Sequence, residues 1–137
     1  MKLLPTRRVD NAIRVLKFLM SVEPGSMSAE SIASATGLSP SVVRQLMQTL
    51  GRAGLVGSQS GPQGGYWLSC VPRETTMRMV TEACEGPINP DFCDLRGISC
   101  AQGPQCALHV VWSASQNALA GELSRFSLVD LTAPPTT

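Results

Sequence analysis

Near the start of the chain, apolar positions recur with helical spacing among polar ones. Between residues 9 and 22 the apolar positions recur every three or four residues, which places them on one helix face: Val9, Ala12, Ile13, Leu16, Leu19 and Met20. Glu23-Pro24-Gly25 follows, and proline cannot continue the hydrogen-bond ladder of a helix. The pattern predicts an amphipathic helix over residues 9–22.

Two shorter helices are predicted next, with residues typical of helix termini at their ends. We expect Ser28 to cap the second helix, which would end at Gly37 because glycine readily adopts the left-handed conformation. We expect Ser39 to cap the third, with Pro40 at its first position, where the missing N–H costs nothing. The predicted buried faces are Ile32, Ala33 and Ala35 in the second helix, and Val42, Val43, Leu46, Met47 and Leu50 in the third. Two short helices joined at a glycine indicate a helix-turn-helix.

A hairpin signal follows the third helix. Residues 55–58 are predicted to form a strand, residues 61–65 a tight turn rich in glycine, and residues 66–68 the return strand. A hairpin directly after a helix-turn-helix is the arrangement of a winged helix. The predicted fold class is therefore mostly α, with a small β-hairpin wing.

The second half of the chain divides into two helices and a segment without periodicity. Residues 75–84 predict a helix with Met77, Val80, Thr81 and Cys84 on one side. Residues 86–105 are rich in glycine and proline and have no regular period, and so long a segment is usually functional. Residues 106–124 predict a long helix whose apolar face exceeds what a small monomer can cover, which indicates a dimerisation helix: Leu108, Val111, Trp112, Ser115, Leu119 and Leu123.

Composition excludes several classes of protein. The chain has 137 residues, of which 43% are hydrophobic and 15% charged, so one folded domain is expected. One histidine, no phosphate-binding loop and no nucleophile motif argue against an enzyme. No apolar run approaches the roughly 20 residues of a membrane span, and the start lacks the apolar core of a signal peptide. We therefore expect a cytoplasmic protein with reduced thiols.

The charge is distributed unevenly along the chain. Residues 1–60 carry seven basic and three acidic groups, or +4, whereas residues 61–137 carry four and seven, or −3. A basic first half suits a polyanion such as double-stranded DNA. The predicted base-reading residues lie at the start of the third helix, where arginine suits guanine and glutamine suits adenine: Ser39, Ser41, Arg44 and Gln45. The predicted phosphate contacts are Arg7, Arg8, Arg14, Lys17 and Arg52.

Three of the five cysteines lie close together in the aperiodic segment. Cys93, Cys100 and Cys106 form a C-x6-C-x5-C array, and thiolates bind soft metals and iron clusters. Three cysteines need a fourth ligand, and His109 lies one helical turn beyond Cys106, so a zinc site of three cysteines and a histidine competes with an iron–sulfur site. The remaining possibility is a set of unpaired loop thiols. The isolated Cys70 and Cys84 are predicted to be small buried hydrophobes.

Several motifs together resemble the Rrf family of bacterial winged-helix regulators. They are Gly-Leu-Ser-Pro-Ser at 37–41, Leu-x-x-Ala-Gly-Leu-Val at 50–56, Gly-Pro-Gln-Gly-Gly-Tyr-Trp-Leu at 61–68, Glu-Gly-Pro at 85–87 and Ser-Leu-Val-Asp-Leu at 127–131. The resemblance implies a homodimer on a palindromic operator and, in many members, an iron–sulfur cluster as sensor. The chain departs from many members at Ser60, where they have arginine before the wing turn, and at Arg44, where they often have glutamate.

The resemblance offers two fourth ligands. One branch of the family has a histidine where this chain has His109, and it holds a [2Fe–2S] cluster. Another branch has a Thr-Asp-x-Ala-Leu-Arg segment similar to residues 9–14, and its aspartate, matching Asp10, ligates a [4Fe–4S] cluster from the other subunit. The match around Asp10 extends over more neighbours, so it favours Asp10 and [4Fe–4S], although Asp10 is also a typical first-turn acid.

The sequence therefore predicts a homodimeric transcription regulator that senses nitric oxide, redox state or iron–sulfur status. Residues 1–84 would bind DNA, residues 85–105 would hold the cluster, residues 106–132 would dimerise and residues 133–137 would form a loose tail. Two alternatives stay open: a zinc-stabilised interaction module, and a cluster-free regulator whose thiols react with oxidants.

Overall fold

The computed structural model describes residues 6–88 and 107–132, together with the backbone of residues 92–93 and 98–99. Within these residues the elements follow in the order α1 Arg7–Ser21, α2 Ala29–Thr36, α3 Pro40–Arg52, β1 Val56–Gln59, β2 Gly65–Leu68, α4 Met77–Glu85, β3 Phe92–Cys93, β4 Ile98–Ser99 and α5 His109–Ser124, with a short 3₁₀ turn at Asp130–Thr132. The predicted tail 133–137 lies outside the described residues. None of the helices in the described ranges has both the length and the apolar character to span a bilayer.

Side-chain caps set where α2 and α3 begin. The Ser28 hydroxyl accepts a hydrogen bond from the Ser31 N–H at 3.1 Å, and the Ser39 hydroxyl accepts one from the Val42 N–H at 3.2 Å. Both caps satisfy N–H groups that have no partner inside a helix. Gly37 ends α2 with φ of 77°, as its position predicted. The predicted helix-turn-helix is confirmed by these boundaries.

One hydrophobic core joins α1 to α4 and the wing. Its fully buried side chains include members from α1, α2, α3, the residue before β1 and α4: Leu16, Leu19, Ile32, Leu50, Leu55 and Val80. The prediction for the face of α2 was wrong at Ala35, which is exposed. The buried stripe of this short helix is narrow and consists of Ala29, Ile32 and Ala33, so Ala35 lies outside it.

The wing is a two-stranded antiparallel hairpin tied to the helical core. β1 pairs with β2 from Val56 opposite Leu68 to Gln59 opposite Gly65. Met27, just before α2, forms a bridge with Tyr66 in which each N–H donates to the other residue's carbonyl at 2.8 Å. The hairpin is therefore held by backbone hydrogen bonds on both sides of β2, and its orientation relative to α2 and α3 is fixed.

The C-terminal segment returns to the DNA-binding half of the chain. The Met77 N–H donates to the Phe126 carbonyl at 2.8 Å, and the Leu128 N–H donates to the Thr75 carbonyl at 2.9 Å. Leu128 is fully buried in the same core as α1–α4. α5 packs against α4, but only Ala120 of α5 is buried. Large apolar side chains of this helix and the turn before it stay exposed: Leu108, Val110, Val111, Trp112 and Leu119.

The segment between α4 and α5 contains one small hairpin that the sequence did not predict. β3 and β4 pair antiparallel, with Phe92 opposite Ser99 and Cys93 opposite Ile98. Residues 86–105 were expected to have no regular structure, so this expectation was wrong at these two strands. Strands of two residues are too short to show the apolar–polar alternation by which longer strands are recognised.

Candidate nucleic-acid interface

Helix α3 has one buried face and one exposed polar face. Val43, Leu46, Met47 and Leu50 anchor it in the core, as the sequence predicted. Its opposite side exposes Ser41, Arg44, Gln45 and Gln48. Because the apolar face is fully used in packing, the polar side chains are presented on a rigid helix. Such a helix can place arginine and glutamine against base edges in a major groove.

The exposed side of α3 and the wing border a common depression. Its volume is about 290 Å³ and its lining is polar on balance, with residues from both elements: Arg44, Gln45, Met47, Gln48, Ser58 and Tyr66. Sequence reasoning did not select Ser58 and Tyr66 as interface residues. Both lie on wing strands, and their paired positions opposite each other depend on the hairpin register. Their side-chain hydroxyls can donate to or accept from DNA.

The start of α1 forms the other border of this surface. A second depression, also of about 290 Å³, lies between α1 and α3 and is lined by Arg7, Arg8, Asn11, Val42, Gln45 and Leu46. Arg7 and Arg8 are exposed. The structure thus brings these two predicted phosphate contacts beside Gln45, a predicted base-reading residue. Guanidinium groups beside a recognition helix suit the phosphate backbone that flanks a groove.

Two other predicted DNA contacts are engaged in ion pairs. The Arg44 guanidinium pairs with the Glu30 carboxylate of α2, and both side chains are more than half exposed. The Arg14 guanidinium pairs with Asp10 one helical turn earlier in α1, at 3.1 Å from Nη2 to Oδ2. Exposed pairs of this kind are weak and exchange readily with other partners. Arg14 and Arg44 therefore remain accessible to DNA, but each must share or leave its carboxylate.

The predicted metal ligands are described only in part. Cys93 lies in β3, where the structure describes the backbone alone, and Cys100 and Cys106 fall outside the described residues. His109 is the first residue of α5 and is half-buried, whereas the Asp10 side chain is 53% exposed on α1. No group of three histidine, cysteine, aspartate or glutamate side chains among the described residues is placed to hold a metal. Three thiols completed by a carboxylate or an imidazole are a donor set that iron–sulfur clusters and zinc both accept.

The remaining cysteines are structural in character. Cys84 is buried on α4, as predicted, while Cys70 after the wing is only half-buried. Burial raises the pKa of the Cys84 thiol, and the nearby Arg8 guanidinium opposes part of this rise. Burial also raises the pKa of Cys70, against a hydrogen bond from Thr75 that lowers it. The neutral thiol, which is the less reactive form, is therefore favoured at both positions.

Comparison with known proteins now identifies the class. The family model Rrf2, described as an iron-dependent transcriptional regulator, matches residues 5–134. The chain belongs to the Rrf2 family. It is a DNA-binding transcriptional regulator with the winged-helix fold of that family.

Individual Rrf2 relatives share the fold over nearly the whole chain. The transcriptional regulator IscR of Aliivibrio salmonicida is 30% identical over 117 residues, which are 85% of this chain and 69% of the relative. The solved structure of CymR, the global cysteine regulator of B. subtilis, is 27% identical with a TM-score of 0.70, covering 95% of this chain and 96% of CymR. T. potens IscR is 25% identical with a TM-score of 0.70, covering 96% and 88%.

Proposed function

We propose that this Rrf2 regulator is a homodimer that reads a palindromic operator through Arg44 and Gln45 and changes its affinity with the state of an iron–sulfur cluster. Cys93, Cys100 and Cys106 would hold the cluster, a [4Fe–4S] cluster in preference to [2Fe–2S]. Asp10 of the partner subunit would be the fourth ligand, with His109 as the alternative. The C-x6-C-x5-C array between α4 and α5 carries this proposal, and the family description as iron-dependent supports it.

The position of Asp10 supports a ligand that acts between subunits. The carboxylate is more than half exposed and lies on the surface of α1, so it is accessible to a second chain. Its ion pair with Arg14 uses Oδ2, and a carboxylate has a second oxygen that can approach a metal.

The exposed face of α5 supports the homodimer. Val110 is 71% exposed and Trp112 is 58% exposed, although both are large apolar side chains. Leaving such a face in water is unfavourable by about 25 cal/mol for each Å² of apolar surface. Pairing with the same face of a second copy would cover it by a two-fold axis, as is usual for soluble homodimers. Two copies of α3 would then meet two half-sites.

The bound cluster would supply iron that reacts with nitric oxide or oxygen. Carboxylate binds iron–sulfur iron less tightly than thiolate does, so Asp10 would be the weakest of the four ligands. As a ligand, Asp10 would tie α1 to the other subunit. Because α1 borders α3, the spacing of the two recognition helices would depend on that tie. A coupling of roughly 1–3 kcal/mol would alter operator affinity by about 5–150-fold.

A second candidate is a cluster-free thiol regulator. The same three cysteines support it, because thiols that hold no metal react with oxidants. In that case Cys93, Cys100 and Cys106 would react with oxidants directly and change the structure by forming disulfides or sulfenic acids. A zinc-stabilised module is the third possibility, with His109 completing a set of three cysteines and one histidine.

One preparation tests all three candidates. Protein purified without oxygen is assayed for colour, iron, acid-labile sulfide and zinc, and its mass in solution is measured. Brown dimeric protein with iron and sulfide, which binds a duplex selected from a random library, supports the cluster regulator. Colourless protein with stoichiometric zinc would contradict it. Colourless, metal-free protein that loses DNA binding on oxidation would instead establish the thiol regulator.

A further inference from the structure

Glu30 connects α2 to the principal candidate base-reading side chain. It lies in the first turn of α2, and Arg44 lies 14 residues later, in α3. The packing of these two helices brings the Arg44 Nη2 to the Glu30 Oε1, where it donates a hydrogen bond within the ion pair. Both side chains face solvent on the DNA-facing side of the winged helix. An acidic side chain is unexpected on a surface that must approach phosphates.

The geometry of the guanidinium allows Arg44 to keep this partner while reading a base. A guanidinium has five N–H donors, and Nη2 alone carries two of them. A hydrogen bond from Nη2 to Glu30 therefore leaves donors for both acceptors of a guanine edge, O6 and N7. While the pair is formed, the carboxylate restricts where the long side chain can swing, so less conformational entropy remains to be lost when the base contact forms.

The same carboxylate works against contacts that carry no sequence information. Any duplex offers phosphates, and binding to them depends on net positive charge. The pair of Arg44 and Glu30 carries no net charge, and the Glu30 carboxylate repels a phosphate that approaches. A guanine edge, in contrast, attracts the arginine through directed hydrogen bonds that the carboxylate does not oppose.

We propose that Glu30 is a specificity-determining residue: it positions the Arg44 guanidinium for guanine and weakens the binding of Arg44 to unrelated DNA. This inference rests on the proposal that α3 reads an operator. Glu30 acts through Arg44, so it is a positioning residue, and it need not itself touch a base.

The test compares Glu30→Gln with a matched control, each in the chain of 137 residues. Each protein first selects duplexes from a random library, and its affinities for the wild-type selected duplex and for an unrelated duplex of equal length are then measured over a range of salt. Glu23→Gln is the control, because Glu23 is exposed in the same half of the chain and forms no ion pair with any residue that the structure describes. Both variants remove one negative charge.

Glu30→Gln is expected to bind the unrelated duplex about 2–5-fold more tightly at low salt. It is also expected to lose guanine preference at one position in each half-site, so that the ratio of selected to unrelated affinity falls by about 3–10-fold. Glu23→Gln should change both affinities by the same factor. Thermal unfolding should be the same for all three proteins, since the pair is exposed.

Arg44→Gln supplies the background that makes the inference specific. In the Arg44→Gln protein, the further change Glu30→Gln should leave the ratio of selected to unrelated affinity unchanged, because the arginine that Glu30 positions is absent. An equal fall of the ratio in both backgrounds, or no fall when Arg44 is present, would overturn the role of Glu30 while leaving operator binding intact. If the wild-type protein selects no sequence at all, operator reading by α3 fails, and the role of Glu30 fails with it.

Discussion

The hydroxyl of Thr49 joins Arg8 of α1 to the backbone of α3. Arg8 Nη2 donates to Thr49 Oγ1 at 3.2 Å, and Thr49 Oγ1 donates to the carbonyl of Gln45 at 3.1 Å. Arg8 is two residues before Asp10, the proposed ligand, and Gln45 is a proposed base-reading residue. One side chain thus connects the helix that would respond to the metal site with the helix that would read DNA.

Thr49→Val should weaken communication between the metal site and DNA without unfolding the protein. Valine keeps the shape of threonine but removes both hydrogen bonds, and exposed bonds of this kind contribute about 0.5–1.5 kcal/mol. We expect the difference in operator affinity between cluster-loaded and cluster-free protein to shrink by about 0.5–2 kcal/mol. Fluorescence titration of both forms with the selected duplex measures this difference in affinity.

Thr36→Val provides the control for that experiment. Thr36 also donates to a carbonyl one turn earlier in its own helix, that of Ile32, but this bond lies within α2. Thr36→Val should therefore leave the difference in operator affinity between cluster-loaded and cluster-free protein unchanged. If Thr49→Val behaves in the same way as Thr36→Val, the Arg8–Thr49 contact does not transmit the state of the metal site.

The fourth ligand can be identified by comparing Asp10→Ala with Arg14→Ala. Both variants break the Asp10–Arg14 ion pair, but only the first removes the proposed ligand. We expect Asp10→Ala to retain a cluster through the three cysteines and to lose the link between cluster state and DNA affinity. Arg14→Ala should keep that link and lower affinity for all duplexes, with a shallower salt dependence. Anaerobic Mössbauer spectra and DNA titrations measure both properties.

His109→Ala decides between the two cluster types. It should retain the cluster spectrum and the regulation of the parent protein if Asp10 is the ligand. Loss of the cluster in His109→Ala, together with parental behaviour of Asp10→Ala, would establish a [2Fe–2S] site with histidine ligation and reject the carboxylate.

The five cysteines should separate into two chemical groups. In cluster-free, folded protein, Cys84 and Cys70 should react slowly with iodoacetamide at neutral pH, because burial raises the pKa of each thiol. Cys93, Cys100 and Cys106 should react first, as determined by peptide mass spectrometry at timed intervals. Early alkylation of Cys84 would show that α4 separates from α1 in the native state.

The same two thiols predict how stability depends on alkaline pH. A raised pKa means that the folded protein favours the neutral thiol, so the contribution to stability is complete below the pKa of an unfolded thiol. It is lost as the pH rises from that value through the folded pKa. The free energy of unfolding should therefore decline in the alkaline range, and Cys84→Ala should make the decline shallower in urea titrations.

Leu128→Ala should destabilise the whole winged helix. The side chain is fully buried in the core shared by α1–α4, and truncating a buried leucine to alanine costs about 2–5 kcal/mol. Leu119→Ala, on the partly exposed face of α5, should cost much less in the monomer and should instead weaken dimerisation. Urea unfolding and sedimentation separate the two effects, and a small cost at Leu128 would place the C-terminal segment outside the cooperative unit.

Local signals in the sequence predicted most of the architecture. Ser28, Gly37 and Ser39 mark helix ends through contacts within four residues, so their roles can be inferred without the fold. The wing was predictable for the same reason, since its turn and strands are adjacent in the chain.

Contacts between distant residues could not be inferred in that way. Arg8 and Thr49 are 41 residues apart and meet because α1 packs against α3. The pairing of Arg44 with Glu30 depends equally on how α2 packs against α3. The burial of Leu128 depends on the return of the chain to α4, and no periodicity in the sequence predicts this return.

The bridge between Thr76 and Ser127 brings the residue before α4 beside a residue that follows α5. α4 belongs to the core of the DNA-binding half, and after α5 the chain returns to the start of α4, so residues 86–124 form an insertion with both ends anchored. An insertion of this kind can be exchanged without shifting the register of the body that carries it. Hybrids in which residues 86–124 come from another family member should keep this protein's operator and acquire the donor's signal, which titration against both parental operators would reveal.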